Sequence, residues 1–118
     1  MSTMGVLIID DDKTTRDSLS MLLEFEGYNV SSCESGASAF DLIKEKCFEV
    51  FIIDFRMPQM KGDEVTRLLR PLCPHALLIG FSFESKGQEF FTAGADAFIR
   101  KDELVHELVP LIENRTRP

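Results

Sequence analysis

The chain has 118 residues, 44% of them apolar, with 20 acidic against 13 basic side chains and a formal charge of −7. That length and apolar content predict one domain over residues 1–118, its core spanning about 5–115. The acidic balance speaks against direct nucleic-acid binding, no apolar run approaches the ~20 residues of a membrane span, and the opening MSTMGVLIIDDD turns acidic too early for a signal peptide.

Val6, Leu7, Ile8 and Ile9 form a short apolar run, rich in β-branched residues, that predicts a first strand. Asp12 to Glu26 carries Leu19, Leu22 and Leu23 at helical spacing, and Gly27 is placed to end that helix. Tyr28 to Cys33 reads as a second, weaker strand. Ser35 caps a helix whose Phe40, Ile43 and Cys47 lie three and four apart. Val50 to Ile53 predicts the third strand, and Val65, Leu68, Leu69 and Leu72 mark the helix after it, stopped near Pro71 and Pro74. Ala76 to Phe81 is the fourth strand, followed by a short, poorly marked helix around Ser85 to Thr92. Ala95 to Ile99 is the fifth. Asp102 is placed to cap the last helix, with Leu104, Val105, Leu108, Val109 and Ile112 facing inward and Pro110 expected to kink or loosen it. Cys33, Cys47 and Cys73, an odd number at wide spacings in apolar surroundings, predict buried free thiols of a reducing cytoplasm. His75 and His106 are isolated and form no metal-ligand or catalytic pattern.

Five strand–helix repeats with short joints predict a parallel sheet with crossover helices on both faces, and uniformly apolar strands agree with burial on both sides. Ligands of such sheets bind beyond the carboxyl ends of the strands. Asp10 and Asp11 follow the first strand, Asp54 the third, Ser82 the fourth and Lys101 the fifth, so four strands send polar groups to one rim. Three carboxylates there repel one another, each pair at ~4 Å costing on the order of 4 kcal/mol at an effective dielectric near 20. A retained proton or a bound cation relieves this. All-oxygen donors suit Mg²⁺ better than zinc. A metal ion and the Lys101 ammonium together attract a phosphoryl group, and Asp54 is then placed as the nucleophile that forms an acyl phosphate. Helix capping accounts for Asp12, and Asp63 and Glu64 read as first-turn helix acids.

Asp10-Asp11, the stretch IIDFRMP with Gly62, Ser82 after the fourth strand, and AFIRK ending at Lys101 resemble a bacterial two-component response-regulator receiver domain of the chemotaxis-regulator type. The resemblance runs from about Val6 to Ile112. It implies a flavodoxin-like, doubly wound five-stranded parallel sheet of order 2-1-3-4-5 with five helices. It also implies a signalling switch that catalyses only its own phosphoryl transfer and slow dephosphorylation. Asp54 is then the phosphoacceptor, loaded by a sensor histidine kinase or a histidine phosphotransfer protein. Mg²⁺ is held directly by Asp11 and Asp54, by Asp10 mainly through water, and by the backbone carbonyl of Arg56. Lys101 pairs with the phosphoryl group, Ser82 turns its hydroxyl toward it, and Phe98 is the switch aromatic that packs inward. Arg56 and Glu84 flank the entrance two positions after Asp54 and Ser82, and are expected to pair across it and tune the phosphoryl lifetime. Output passes to a downstream protein or to a fused output domain, with a second copy of the chain as a further candidate partner, in the cytoplasm.

Two departures accompany the resemblance. Asp102 stands where many members have proline, so a cis peptide is not implied. Gly94 lies only 12 positions after Ser82, about one helical turn short of the family spacing. The missing turn falls in the fourth helix, within SFESKGQEFFTAG. There Gly87 and the adjacent Phe90 and Phe91 predict a loose segment, with Phe83 and one helix Phe offering an apolar contact. Two other readings stand beside this one. An aspartyl-nucleophile phosphohydrolase needs a second acid two positions after Asp54, where Arg56 stands. A docking module keeps the fold without being phosphorylated.

Overall fold

The computed structural model describes residues 4–116, so the predicted domain's ends, 1–3 and 117–118, lie outside the described residues. Five strands alternate with five helices: β1 Gly5–Ile9, α1 Lys13–Phe25, β2 Asn29–Cys33, α2 Gly36–Ile43, β3 Val50–Asp54, α3 Gly62–Leu72, β4 Leu77–Ser82, α4 Gly87–Ala93, β5 Ala97–Arg100 and α5 Leu104–Thr116. All strand pairs are parallel, in the order β2-β1-β3-β4-β5. The expected doubly wound sheet is therefore the observed one.

Alternation along each strand divides the apolar residues between two cores. Val6, Ile8, Val50, Ile52, Leu77, Ile79, Phe81, Ala97 and Ile99 pack with Leu19 and Leu23 of α1 and Leu104, Leu108 and Ile112 of α5. Leu7, Ile9, Phe51, Ile53 and Leu78 pack on the other face with Ala39 of α2, Val65 and Leu69 of α3 and Phe90 of α4. Burying each such large side chain contributes about 1.5–3 kcal/mol. β2, at the sheet's edge, is only half-buried, which explains its weaker sequence signal.

Local chemistry sets most boundaries. Asp12 caps α1 by accepting from the Thr15 N–H at 3.0 Å, and Gly27 takes φ +95° just past its end. Ser35 caps α2 through the Ser38 N–H at 3.1 Å. Several expectations need correction. α2 ends at Ile43, because Lys44, Glu45 and Lys46 offer no apolar position to pack; Cys47 lies beyond it and is exposed, not buried. Cys33 and Cys73 are half-buried free thiols. α3 does end between Pro71 and Pro74 as expected, at Leu72, with Pro71 as its penultimate residue on an exposed face. α5 runs through the exposed Pro110 as one element. Asp102 makes no capping bond and belongs to a 3₁₀ turn, Lys101–Glu103, that leads into α5. Val105 faces outward, 72% exposed.

The short α4 is anchored at its middle and at its C-terminal end. Phe90 is fully buried while its neighbour Phe91 is exposed, as their angular separation on a helix requires. Gly94 takes φ +109° to end the helix. Arg70 of α3 then binds the turn that follows: its guanidinium donates to the carbonyls of Gly94, Cys73, Pro74 and Ala76 and to the Asp96 carboxylate, all within 3.1 Å. Asp96 in turn accepts from the Leu78 N–H. One planar cation thus ties α3, the start of β4 and the α4–β5 turn together.

Gly80 lies directly beneath Phe90, where an added Cβ would fall 2.3 Å from the ring. Gly80→Ala is therefore expected to cost roughly 1–3 kcal/mol by overpacking. In a Phe90→Leu background the same change should cost measurably less, giving a non-additive cycle in urea denaturation. Additive costs would show that α4 yields freely above β4.

Candidate functional site

The sheet register brings the candidate residues level. Ile9 pairs with Ile53, so Asp10 and Asp54 leave adjacent strands in step; Asp54 pairs with Phe81 and Ser82 with Arg100, so Ser82 and Lys101 fall at the same edge. Asp10, Asp54 and Ser82 are buried, whereas Asp11 is exposed. Asp10, Asp11 and Asp54 each offer an oxygen, and these oxygens lie within 4.8 Å of one another. Lys101 Nζ stands 3.1 Å from Asp10 Oδ2 and 3.0 Å from Asp54 Oδ1. Four of the five rim residues predicted from the sequence, Asp10, Asp11, Asp54 and Lys101, therefore meet, with Ser82 at the same edge.

The charges are unequally satisfied. Asp10 accepts from the Asp12 N–H at 2.9 Å as well as from Lys101. Burial pushes the Asp54 carboxyl up to about 7, the Asp10 charge adds to this, and the Lys101 ammonium opposes both. Burial alone would lower the Lys101 pKa, but its contacts with Asp54 and Asp10 outweigh that and raise it. Two buried carboxylates share one ammonium and the exposed Asp11 carboxylate stands beside them, so with all three ionised the site is two positive charges short of balance. Its donors are all oxygen and one side is open to water, a combination that fits Mg²⁺.

The β3–α3 loop is held tightly to this edge. The Gly62 N–H donates to the Phe55 carbonyl at 2.8 Å, and an added Cβ at Gly62 would lie 2.1 Å from the Asp54 carbonyl oxygen. Only glycine lets α3 start so close to the Asp54 backbone. Met57 is buried, and Gln59 takes φ +71°, the one non-glycine left-handed residue among the described residues.

The entrance residues pair as the opposite charges suggest. Arg56 donates from Nε and an Nη to both Glu84 carboxylate oxygens, at 2.6 and 2.9 Å. This fork holds Glu84 below its ordinary pKa and Arg56 above its own. The Ser82 hydroxyl accepts from the Glu84 N–H at 3.1 Å, so the hydroxyl and the fork are neighbours on one loop. Phe98 is half-buried against Phe90, with ring centroids 5.8 Å apart.

Sequence reasoning missed two contributors. Arg16 of α1 donates to the Asp10 backbone carbonyl at 2.8 Å and steadies that end of β1; its spacing looks like that of any solvated helix cation. Phe83 places its ring 5.4 Å from Lys101 Nζ. A turn phenylalanine carries no signal that names such a partner.

Among the described residues, no helix is long and apolar enough to cross a membrane. Comparison with known proteins agrees with the geometry. The chain is 32% identical to the response regulator MprA of Mycobacterium avium over 121 residues, 98% of this chain and 53% of that protein. It spans about half the length of the curated relatives it matches. A CheY-like receiver domain from Methanospirillum hungatei superposes with a TM-score of 0.90 at 30% identity, covering 97% of this chain and 94% of that one. The response regulator TrrA of Thermotoga maritima, solved in complex with Mg²⁺ and BeF, gives 0.88 at 25% identity over 95% of this chain and 98% of that one. The family model for the response regulator receiver domain matches residues 6–113, from the second residue of β1 into the last turns of α5. Sheet order, acidic edge and family match coincide over the same stretch: the chain belongs to the response regulator receiver domains, the signalling modules of two-component systems.

Proposed function

We propose that residues 1–118 act as one receiver domain whose Asp54 accepts a phosphoryl group from a histidine kinase or histidine phosphotransfer protein. The observation that carries this reading is the Lys101 ammonium set 3.0 Å from Asp54 and 3.1 Å from Asp10, with Asp11 alongside. In the transfer, an Asp54 carboxylate oxygen bonds to phosphorus while the phosphorus–nitrogen bond to the donor imidazole breaks. The electron pair leaves with the ring, which takes up a proton. Asp54 must be ionised to act, and the crowding that raises its pKa also makes it a reactive nucleophile once a cation is near. Asp10, Asp11 and Asp54, with the Arg56 backbone carbonyl, would hold Mg²⁺. When bound, Mg²⁺ supplies positive charge that neutralises phosphoryl oxygens.

Lys101 then exchanges its contact with Asp54 for a phosphoryl oxygen, and Ser82 releases the Glu84 N–H to turn its hydroxyl the same way. That exchange loosens the β4–α4 loop and changes the space beside Phe98, whose ring already lies against α4. The altered α4–β5–α5 face is read by a downstream protein, a fused output domain or a second copy of the chain. Arg56 is committed to Glu84, which supports a signalling role over a phosphohydrolase needing an acid at that position.

Incubation with acetyl phosphate and Mg²⁺ is expected to add one acid-labile phosphoryl group, seen by intact mass and lost in Asp54→Asn. Equal labelling of that variant would refute the assignment. Asp11→Ala should weaken Mg²⁺ binding at least tenfold by calorimetry while thermal stability holds or rises, since like-charge repulsion is relieved. Unchanged affinity would remove Asp11 from the ligand set. Arg56→Ala and Glu84→Ala should each shorten the phospho-form's half-life severalfold, because the fork restricts water at the entrance. A half-life equal to the wild type in both would dismiss the fork as a gate.

A further inference from the structure

Phe83 follows the buried pair Phe81-Ser82, yet it is 67% exposed and takes little from the core. Its ring centroid lies 5.4 Å from Lys101 Nζ, and that of Phe81 lies 4.9 Å from the same atom. Lys101 itself is only 10% exposed on its side chain and meets Asp10 and Asp54. Its ammonium therefore stands between two carboxylates and two aromatic rings, and Phe83 is the one of these four groups that faces solvent. The quadrupole of an aromatic face attracts such a charge, more strongly where water is excluded. On the same loop Ser82 presents its hydroxyl and Glu84 fixes Arg56, so three consecutive side chains line the mouth of the site.

We propose that Phe83 is a positioning residue: its ring holds the Lys101 ammonium against Asp54 and keeps water from the phosphoryl site, prolonging the acyl phosphate. This rests on the reading of Asp54 as acceptor. In the hydrolysis that Phe83 slows, a water oxygen bonds to phosphorus and the bond from phosphorus to the Asp54 oxygen breaks. The electron pair stays on the carboxylate, and inorganic phosphate and a proton leave.

Two measurements on Phe83→Ala, Phe83→Leu and Phe83→Tyr test this. The first is acylation of Lys101 by an acetyl N-hydroxysuccinimide ester without phosphodonor, read by peptide mass against Lys13, which is 77% exposed, as an internal control. The second is the half-life of the acetyl-phosphate-loaded form. Phe83→Ala and Phe83→Leu should raise Lys101 acylation about three- to tenfold, the range that loss of one partly buried cation–π contact allows. They should shorten the half-life by a similar factor, while Phe83→Tyr keeps both near the wild type. Lys101 acylation within twofold of the wild type in Phe83→Ala would overturn the proposal, as would full restoration of both values by leucine. Should no variant or wild type take up phosphate, acylation still decides the positioning claim, and the reading of Asp54 is what fails.

Discussion

One ammonium, Lys101, serves two buried carboxylates, Asp10 and Asp54, at the carboxyl edge of the sheet. Most of the molecule can be understood as what holds those three groups in register. β1 and β3 are hydrogen-bonded neighbours with Ile9 opposite Ile53, so the acids that follow must lie side by side. β5 delivers the lysine through two intervening pairings whose residues are apolar on both faces. A doubly covered parallel sheet maintains that spacing, because a one-residue shift of register would move every buried side chain into the opposite core, against helices it does not fit.

The same edge shows how unbalanced charge becomes responsiveness. With Asp54 pushed to about 7 by burial and by Asp10, the site gains from a proton, a metal ion or any rearrangement that moves positive charge closer. Around it lie the exposed Arg56–Glu84 fork, the buried Ser82 hydroxyl on the Glu84 N–H, and the exposed Phe83 ring near Lys101. The sheet supplies the buried packing, and the β4–α4 loop carries these contacts at the mouth of the site. The far end of the short α4 is held to α3 and to the sheet by Arg70 and Phe90.

The parallel, doubly covered sheet and the meeting of the acids with Lys101 were legible in the sequence because they depend on patterns with a strong physical basis, whereas the strand order came from the family resemblance. Short apolar runs such as Val50–Ile53, rich in β-branched residues, read as doubly covered strands, and acids directly after several parallel strands share an edge. Helix ends were less legible. Pro71 marks the end of α3 as it reads, but Pro110 reads as a breaker and α5 runs through it, and Asp102 reads as a cap but falls in a 3₁₀ turn. Cys47 matched the helical spacing of α2, yet the charged run before it ended the helix. Arg16 and Arg70 escaped notice, and Phe83 was read only as an apolar contact, for a different reason. Their partners are backbone carbonyls or an ammonium brought near by the fold, and neither leaves a mark in local sequence.

The central claim is that crowding at this edge, and not the aspartate alone, sets the chemistry of Asp54. Carbon-13 NMR of the Asp54 carboxyl across pH, first with a chelator and then with saturating Mg²⁺, tests it most directly. The account predicts titration near 7 in the chelator, against 3.8 for an isolated aspartate, and a marked fall on adding Mg²⁺. Titration close to 3.8 under both conditions would contradict it.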